Sequence, residues 1–381
     1  MLCHLATEVK PSLFVQALGW ALGLLDYAFF LVKALLGKNR PKYFSKGWGD
    51  LKSVMEMQTN LLKECEERTS EISSFAGEQI DWEQPTREDA VWIQHGKFIS
   101  PCAALLPEES RFCMFSVVRP CSPKETNDSE VYIMMLPATG EMGNSTRLIM
   151  AKSLAEKYGW SSVIITAPFY GRRRPRTQKL FFVDTVSNLL LQSLAIVQEA
   201  ASLAIFFLSK SKSSTVCFSG FSWGGAMSSV SSAVALIAGA DGSRIACAPY
   251  VGSASPVCLV EGVVADAIDW NALRESKDDS YDFLKKELYT ELNKTQLSVI
   301  SERRKKGCNG IAVVRAVCMR NDQVLRLRYV HEFLSQLKTL GSEALDVPVK
   351  WIPGGHAIAA LLRPSYQQEL ISEAVLSMKF D

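Results

Sequence analysis

The sequence predicts an α/β fold: a mostly parallel sheet with helices on both faces. Three observations predict it. From residue 95 onward, short apolar runs alternate with helix-period segments. The short runs, such as VYIMML at 131–136 and SSVIITAP at 161–168, are apolar along their length, the pattern of strands buried on both faces. Hydrophobic residues make up 48% of the 381-residue chain, enough for a large packed core and too many for disorder.

In chain order, residues 12–36 (SLFVQALGWALGLLDYAFFLVKALL) come first and are long enough to cross a bilayer. Asp26 opposes insertion by roughly 2.5 to 3.5 kcal/mol, and the Leu, Phe and Val residues between Leu13 and Val32 return roughly 3 to 7 kcal/mol. Three placements stand: a span, a helix lying in the membrane surface, and a helix packed on the protein. Lys33, Lys38, Arg40, Lys42 and Lys46 follow without an acid among them. Such a flank favours anionic headgroups and holds the C-terminal body on the cytoplasm-like side. No small-residue cleavage site interrupts the run, which argues against a cleaved signal peptide. Residues 49–76 read as an amphipathic helix, and the polar stretch 78–94 as a connection. The expected division is a helical extension over 1–90, with the apolar membrane-associating segment at 12–36, and an α/β domain over 91–381.

Within that domain, GKFIS (96–100), FCMFSVV (112–118), VYIMML and SSVIITAP read as strands, with a helix over 148–159. Residues 184–210 read as a long helix, apolar nearly all round but carrying Asp184 and Glu199. TVCFSG (215–220), IACAPYVG (245–252), IAVVRAVCM (311–319) and VPVKWIP (347–353) are strands. Helices are expected over 224–239, 324–341 and 365–379. Residues 256–310 break the alternation and read as a helical cap inserted over the strand ends.

Composition excludes several classes. Lys plus Arg (42) against Asp plus Glu (40) leaves +2, without the basic excess of a nucleic-acid binder. None of the ten cysteines forms a C-x-x-C pair, so a zinc knuckle or a thioredoxin-like site has no support. Cys217, Cys247 and Cys318 lie in strand-like runs as small hydrophobes, which suits a reducing, intracellular compartment.

The chemistry centres on Gly220-Phe221-Ser222-Trp223-Gly224, a G-x-S-x-G sequence entered by a strand and left by a helix. That is the setting of a nucleophile elbow. Small residues are needed around the serine, which Gly220, Gly224 and Gly225 supply. The helix start behind Ser222 brings unsatisfied N–H groups and partial positive charge. A serine needs a base. Of the four histidines, only His356 follows a core strand, in Ile352-Pro353-Gly354-Gly355-His356, at the end where open α/β sheets build their sites. Asp322, just beyond IAVVRAVCM, lies at the same rim and can orient that imidazole. The order Ser222, Asp322, His356 is that of the α/β hydrolases. For the oxyanion, Trp223 N–H is the first donor expected, and Thr139 or Gly140, with Ala138 as a third choice, the second. Arg172, Arg173 and Arg174, after SSVIITAP, are candidate contacts for a phosphate headgroup, or else a solvated loop.

The chain resembles the alpha/beta hydrolase domain-containing protein 18 family. The resemblance rests on FSKGWG at 44–49, GKFISP at 96–101, ATG at 138–140, APFYGRRRP at 167–175, GFSWGG at 220–225, NDQ around Asp322 and GGH at 354–356. It implies an α/β-hydrolase fold and an acyl-ester hydrolase, with mitochondrial phospholipids such as cardiolipin as the implied substrate class; the expected location is intracellular, with the membrane association read from residues 12–46 and the mitochondrion as one candidate organelle.

The functional expectation is a serine hydrolase that cleaves lipid or phospholipid esters through an acyl-enzyme, with no metal or organic cofactor required. Two rivals stand beside it. One is an acyltransferase with the same triad, and the other a catalytically silent binding protein on a hydrolase scaffold, against which the complete triad argues.

Overall fold

The computed structural model describes residues 19, 21–26, 41–67, 80–122, 130–210, 214–238, 244–253, 260–275, 286, 290, 313–340 and 347–378. Among these, eleven strands form one sheet. They are β1 (Asp81–Trp82), β2 (Thr86–Glu88), β3 (Val91–Ile99), β4 (Phe112–Pro120), β5 (Val131–Leu136), β6 (Ser161–Thr166), β7 (Thr215–Phe221), β8 (Arg244–Tyr250), β9 (Val313–Val314), β10 (Ala316–Met319) and β11 (Val349–Ile352). The main path runs β1-β3-β4-β6-β5-β7-β8-β10-β11. Every pairing from β6 to β11 is parallel, while β1, β2, β3 and β4 form an antiparallel edge. The apolar runs VYIMML and TVCFSGF are buried at every residue, as strands covered on both faces must be.

The helices are α1 (Leu51–Glu67), α2 (Ser145–Tyr158), α3 (Val186–Leu208), α4 (Trp223–Ala238), α5 (Trp270–Glu275), α6 (Leu327–Leu337) and α7 (His356–Leu376). Helices α1, α3 and α4 pack together as one layer, and α2 with α7 as another. Helix α3 is the one described helix long and apolar enough to cross a membrane, and its most apolar 18-residue stretch is buried in the protein. Its Glu199 is neutralised by Arg173, with Nη1 and Nη2 each donating to one carboxylate oxygen at 2.7 and 2.6 Å.

Register brings the chemistry to one rim. Leu136 pairs with Gly220, Phe221 with Tyr250, and Met319 with Ile352. The parallel strands therefore end level, and the loops after β5, β7, β10 and β11 leave side by side.

Several expectations are corrected. Residues 81–88, read as a polar connection, add β1 and β2 to β3, and β3 itself starts at Val91. The cross-strand neighbours that make a polar stretch a sheet edge are invisible in a one-dimensional pattern. His95 accordingly sits inside a strand, its Nδ1 2.8 Å from Ser116 Oγ. The run IAVVRAVCM is interrupted at Arg315, which donates its N–H to Cys247 O. Helix α7 begins nine residues before the expected Ser365, at His356, and continues through Pro364. Helix α6 starts at Leu327 rather than Val324, because the Val324 and Leu325 N–H groups are taken by the Asp322 carboxylate at 2.8 and 2.7 Å.

The described part of the expected N-terminal extension is joined to the domain. Tyr43, Phe44 and Trp48 are buried, Phe44 N–H donates to Val183 O, and Tyr43 exchanges backbone bonds with Ala267 and Asp269. Residues 260–275, the described start of the expected cap, hold a 3-10 turn (Gly262–Ala267) and α5 and dock there, with Ile268 bridging Tyr43 and Trp48 Nε1 donating to Leu273 O. Most of the cap from 276 to 310, and Lys33, Lys38 and Arg40, lie outside the described residues.

Candidate active site

At the end of β7 the backbone turns sharply and Ser222 takes φ +58°, left-handed for a residue with a side chain. Its N–H donates to Tyr250 O at 3.0 Å and its carbonyl accepts Ala226 N–H, so the turn is held from both sides. Two glycines make this geometry accessible. A Cβ on Gly220 would stand 2.3 Å from Gly224 O, and one on Gly224 would stand 2.5 Å from Pro137 O. No side chain fits at either contact. Strain at a serine held this way is what projects its hydroxyl away from the sheet.

The three residues singled out from the sequence meet. His356 Nε2 lies 2.9 Å from Ser222 Oγ, and His356 Nδ1 lies 2.9 Å from Asp322 Oδ2. Asp322 is buried, and its other oxygen holds the two N–H groups of the next loop. One carboxylate thus serves two ends: one oxygen fixes the loop and the other faces the imidazole. Phe221 stacks on the imidazole with centroids 5.0 Å apart. Burial lowers the His356 pKa, but the charge of Asp322, its hydrogen bond and the charge of Asp26 outweigh it. The net direction is upward from the usual 6.5. His331, by contrast, is exposed on α6, with Trp351 its nearest ring.

Around the candidate oxyanion position, the turn after β5 is more committed than the sequence indicates. Ala138 N–H donates to Glu141 Oε2 at 3.0 Å, and Gly140, half-buried, takes φ +77°. Thr139 is exposed between them. Trp223 is the first residue of α4, where an N–H has no intrahelical acceptor. Its indole donates to Ser193 on α3.

Two residues at this rim were missed by sequence reasoning. Glu141 binds Arg147 of α2 and Arg363 of α7 as well as Ala138. It therefore ties the turn after β5 to the helix that begins with His356. Burial raises the Glu141 pKa, but the two guanidinium charges and the Ala138 N–H outweigh it, so the carboxyl titrates below its usual range. The second is Asp26. Its carboxylate is buried and accepts N–H bonds from Gln323, His356 and Ala357. Of the three placements open for residues 12–36, the described part (19 and 21–26) takes the one packed on the protein. The isolated acid in an apolar run was the available signal.

The arginine cluster is split. Arg173 is fully buried, and its guanidinium is used by Glu199, Thr166 O and Ser110 O, so it is no headgroup contact. Arg172 is exposed and Arg174 half-buried. Sequence proximity grouped three residues that differ in burial, with Arg172 and Arg173 in a short 3-10 turn over Gly171–Arg173 and Arg174 the extended residue after it. Among the described residues no group of His, Cys, Asp and Glu could hold a metal ion.

A parallel sheet with a strained serine between strand and helix, and a histidine and aspartate on the following strand ends, defines an α/β-hydrolase fold. The chain matches the family model "Alpha/beta hydrolase domain containing 18" over residues 41–334 and belongs to that family. The matched stretch contains Ser222 and Asp322, while His356 and Asp26 lie outside it. Among solved structures, a cold-adapted esterase from an Arctic intertidal metagenomic library is 14% identical, covers 77% of this chain and 99% of its own, and has a TM-score of 0.47. A thermostable esterase from Pseudomonas putida ECU1011 is 13% identical over 86% of this chain and 98% of its own, TM-score 0.46. The acylaminoacyl peptidase of Pyrococcus horikoshii is 12% identical over 71% of this chain and 40% of its own, TM-score 0.45. Likenesses this distant say nothing of this chain's substrate.

Proposed function

We propose that the protein is a serine ester hydrolase. The observation that carries the reading is the continuous contact from Ser222 Oγ through the His356 ring to Asp322, 2.9 Å at each step. Ser222 Oγ attacks the acyl carbonyl while His356 Nε2 takes its proton. Asp322 holds the imidazole in the tautomer whose Nε2 is free to accept, and stabilises the imidazolium that forms. His356 returns the proton to the leaving alcohol. Water, activated by the same imidazole, then hydrolyses the acyl-enzyme, releasing the acid and restoring Ser222. Trp223 N–H and the N–H of Thr139 or Gly140 are the oxyanion donors in this reading, since Ala138 commits its own to Glu141.

The substrate class proposed is a lipid ester. The family resemblance supports it, as does the exposure of Leu24 and Leu25 on the helical segment docked beside the site. That segment offers an apolar face to a membrane surface while its other face is packed. Labelling with a fluorophosphonate probe tests the nucleophile. Ser222→Ala should lose labelling and turnover together while its unfolding midpoint stays close to that of the parent. Undiminished labelling of the alanine variant would place the nucleophile elsewhere.

A further inference from the structure

We infer that Asp26 is a positioning residue of the triad, a buried carboxylate that the N-terminal segment lends to the two loops carrying Asp322 and His356. The inference rests on the triad reading above. Asp26 Oδ2 accepts Gln323 N–H at 3.0 Å and His356 N–H at 2.9 Å, and Oδ1 accepts Ala357 N–H at 2.7 Å. Gln323 follows the triad acid, and His356 is the triad base. One side chain therefore clamps the backbones of both, from about 300 residues away in the sequence.

The contact is built, not incidental. Asp26 is 1% exposed. A Cβ on Gly355 would stand 2.3 Å from Asp26 Oδ2, so glycine at 355 is what admits the carboxylate. Gly19 and Gly23 lie four residues apart, on one face of a helix. Their added Cβ atoms would meet Asn321 Oδ1 at 2.4 Å and Asn321 O at 2.7 Å. The segment is thus stripped of side chains where it approaches the loop before Asp322. The His356 and Ala357 N–H groups are the first of α7 and have no intrahelical acceptor, and a negative charge there is favoured by the helix dipole.

The loops are not held by Asp26 alone. Arg320 N–H donates to Ile352 O and Asn321 N–H to Gly354 O. Those bonds set the strand ends level, while Asp26 fixes the imidazole's own backbone. Its charge also acts on the ring, since it favours the imidazolium form. Among the described residues, the other charged groups on the elements packed against Asp26 are Arg320 and Asp322 on the loop after β10 and His356 on α7. Arg363 lies two turns further along α7, on the Phe221 ring that stacks on the imidazole. A mere helix cap would affect stability, whereas a positioning carboxylate also affects kcat and its pH dependence.

The test compares the full chain with Asp26→Asn, Gly23→Ala and Ser222→Ala, using a fluorophosphonate probe and a short soluble ester. Asparagine keeps one acceptor oxygen and the side-chain shape but removes the charge. Its kcat and labelling rate should fall on the order of 10- to 10²-fold, the scale of a small misplacement of a catalytic group. KM should change little, and the acid limb of the pH profile should move to lower pH, because the imidazole loses a neighbouring negative charge. Gly23→Ala leaves every triad residue and Asp26 unsubstituted and is the better helix former. It pushes the segment off Asn321, and a several-fold loss of kcat is expected there too. An Asp26→Asn variant with the parent's labelling rate and an unmoved acid limb would overturn the inference. So would a Gly23→Ala variant with parental kcat, should the asparagine variant not fold. Retained labelling in Ser222→Ala would instead overturn the triad reading itself, which separates the two failures.

Discussion

Two apolar helical stretches of this chain each carry one acid, and both acids are buried: Asp26 in the N-terminal segment and Glu199 in α3. The resemblance ends at their partners. Glu199 meets a guanidinium, that of Arg173, in a pair with no solvent exposure on either side chain. Asp26 meets three backbone N–H groups at the mouth of the site. Arg173 and Glu199 take no part in the Ser222–His356–Asp322 contacts, and the pair joins α3 to the loop after β6 and, through Ser110, to the loop before β4. Asp26 accepts the backbone N–H of His356 itself. The comparison teaches that an acid in an apolar run reports a buried partner, and that the partner decides whether the acid serves stability or chemistry.

The largest effect that sharpens this contrast belongs to the triad acid. Asp322→Asn should lower kcat by about 10⁴-fold, since the amide favours the wrong imidazole tautomer. Steady-state turnover of a short ester measures it. The Asp26→Asn loss must fall well short of that value, or Asp26 is more than a positioning group.

Arg173→Met should be next, and in the other currency. It strands a buried carboxylate, which destabilises a fold by about 3 to 5 kcal/mol. A shifted urea midpoint would show it, with the probe-labelling rate of the folded fraction unchanged. Adding Glu199→Leu should regain part of the loss, since a buried pair replaced by apolar residues is often neutral; the recovery is partial because Thr166 O and Ser110 O remain without Arg173. A labelling rate that collapsed with Arg173→Met would erase the distinction between the two acids.

The smallest effect is a shift in pH. His356 must be neutral to accept the Ser222 proton. Its pKa is raised, so activity should climb with rising pH through a midpoint above 6.5. A kcat/KM profile of the parent protein reads this limb directly. A midpoint at or below 6.5 would mean that burial, not the two carboxylates, governs the ring.

How legible each part was follows from its range along the chain. The elbow was readable because strand, Ser222, glycines and helix are contiguous, and steric crowding within a few residues dictates their identity. Asp322 and His356 were readable because each ends an apolar strand, and parallel strands put their ends on one rim. The boundaries were less so. Asp322 delayed the start of α6 by capturing two N–H groups, and His356 began a helix where a loop was expected, because Gly355 and Asp26 complete its first turn.

By itself, then, the sequence determined the layered α/β architecture, the tight turn at Ser222 and the rim on which Asp322 and His356 lie, all of which follow from local sterics and from hydrophobic periodicity. Only the tertiary structure decided that Arg173 is buried against Glu199 while Arg172 is exposed, that the Ala138 N–H is taken by Glu141, and that the Asp26 carboxylate caps the loops carrying Asp322 and His356. Those outcomes turn on contacts between residues far apart in the chain. A buried carboxylate is satisfied equally well by a guanidinium or by backbone N–H groups, and no local pattern distinguishes the two.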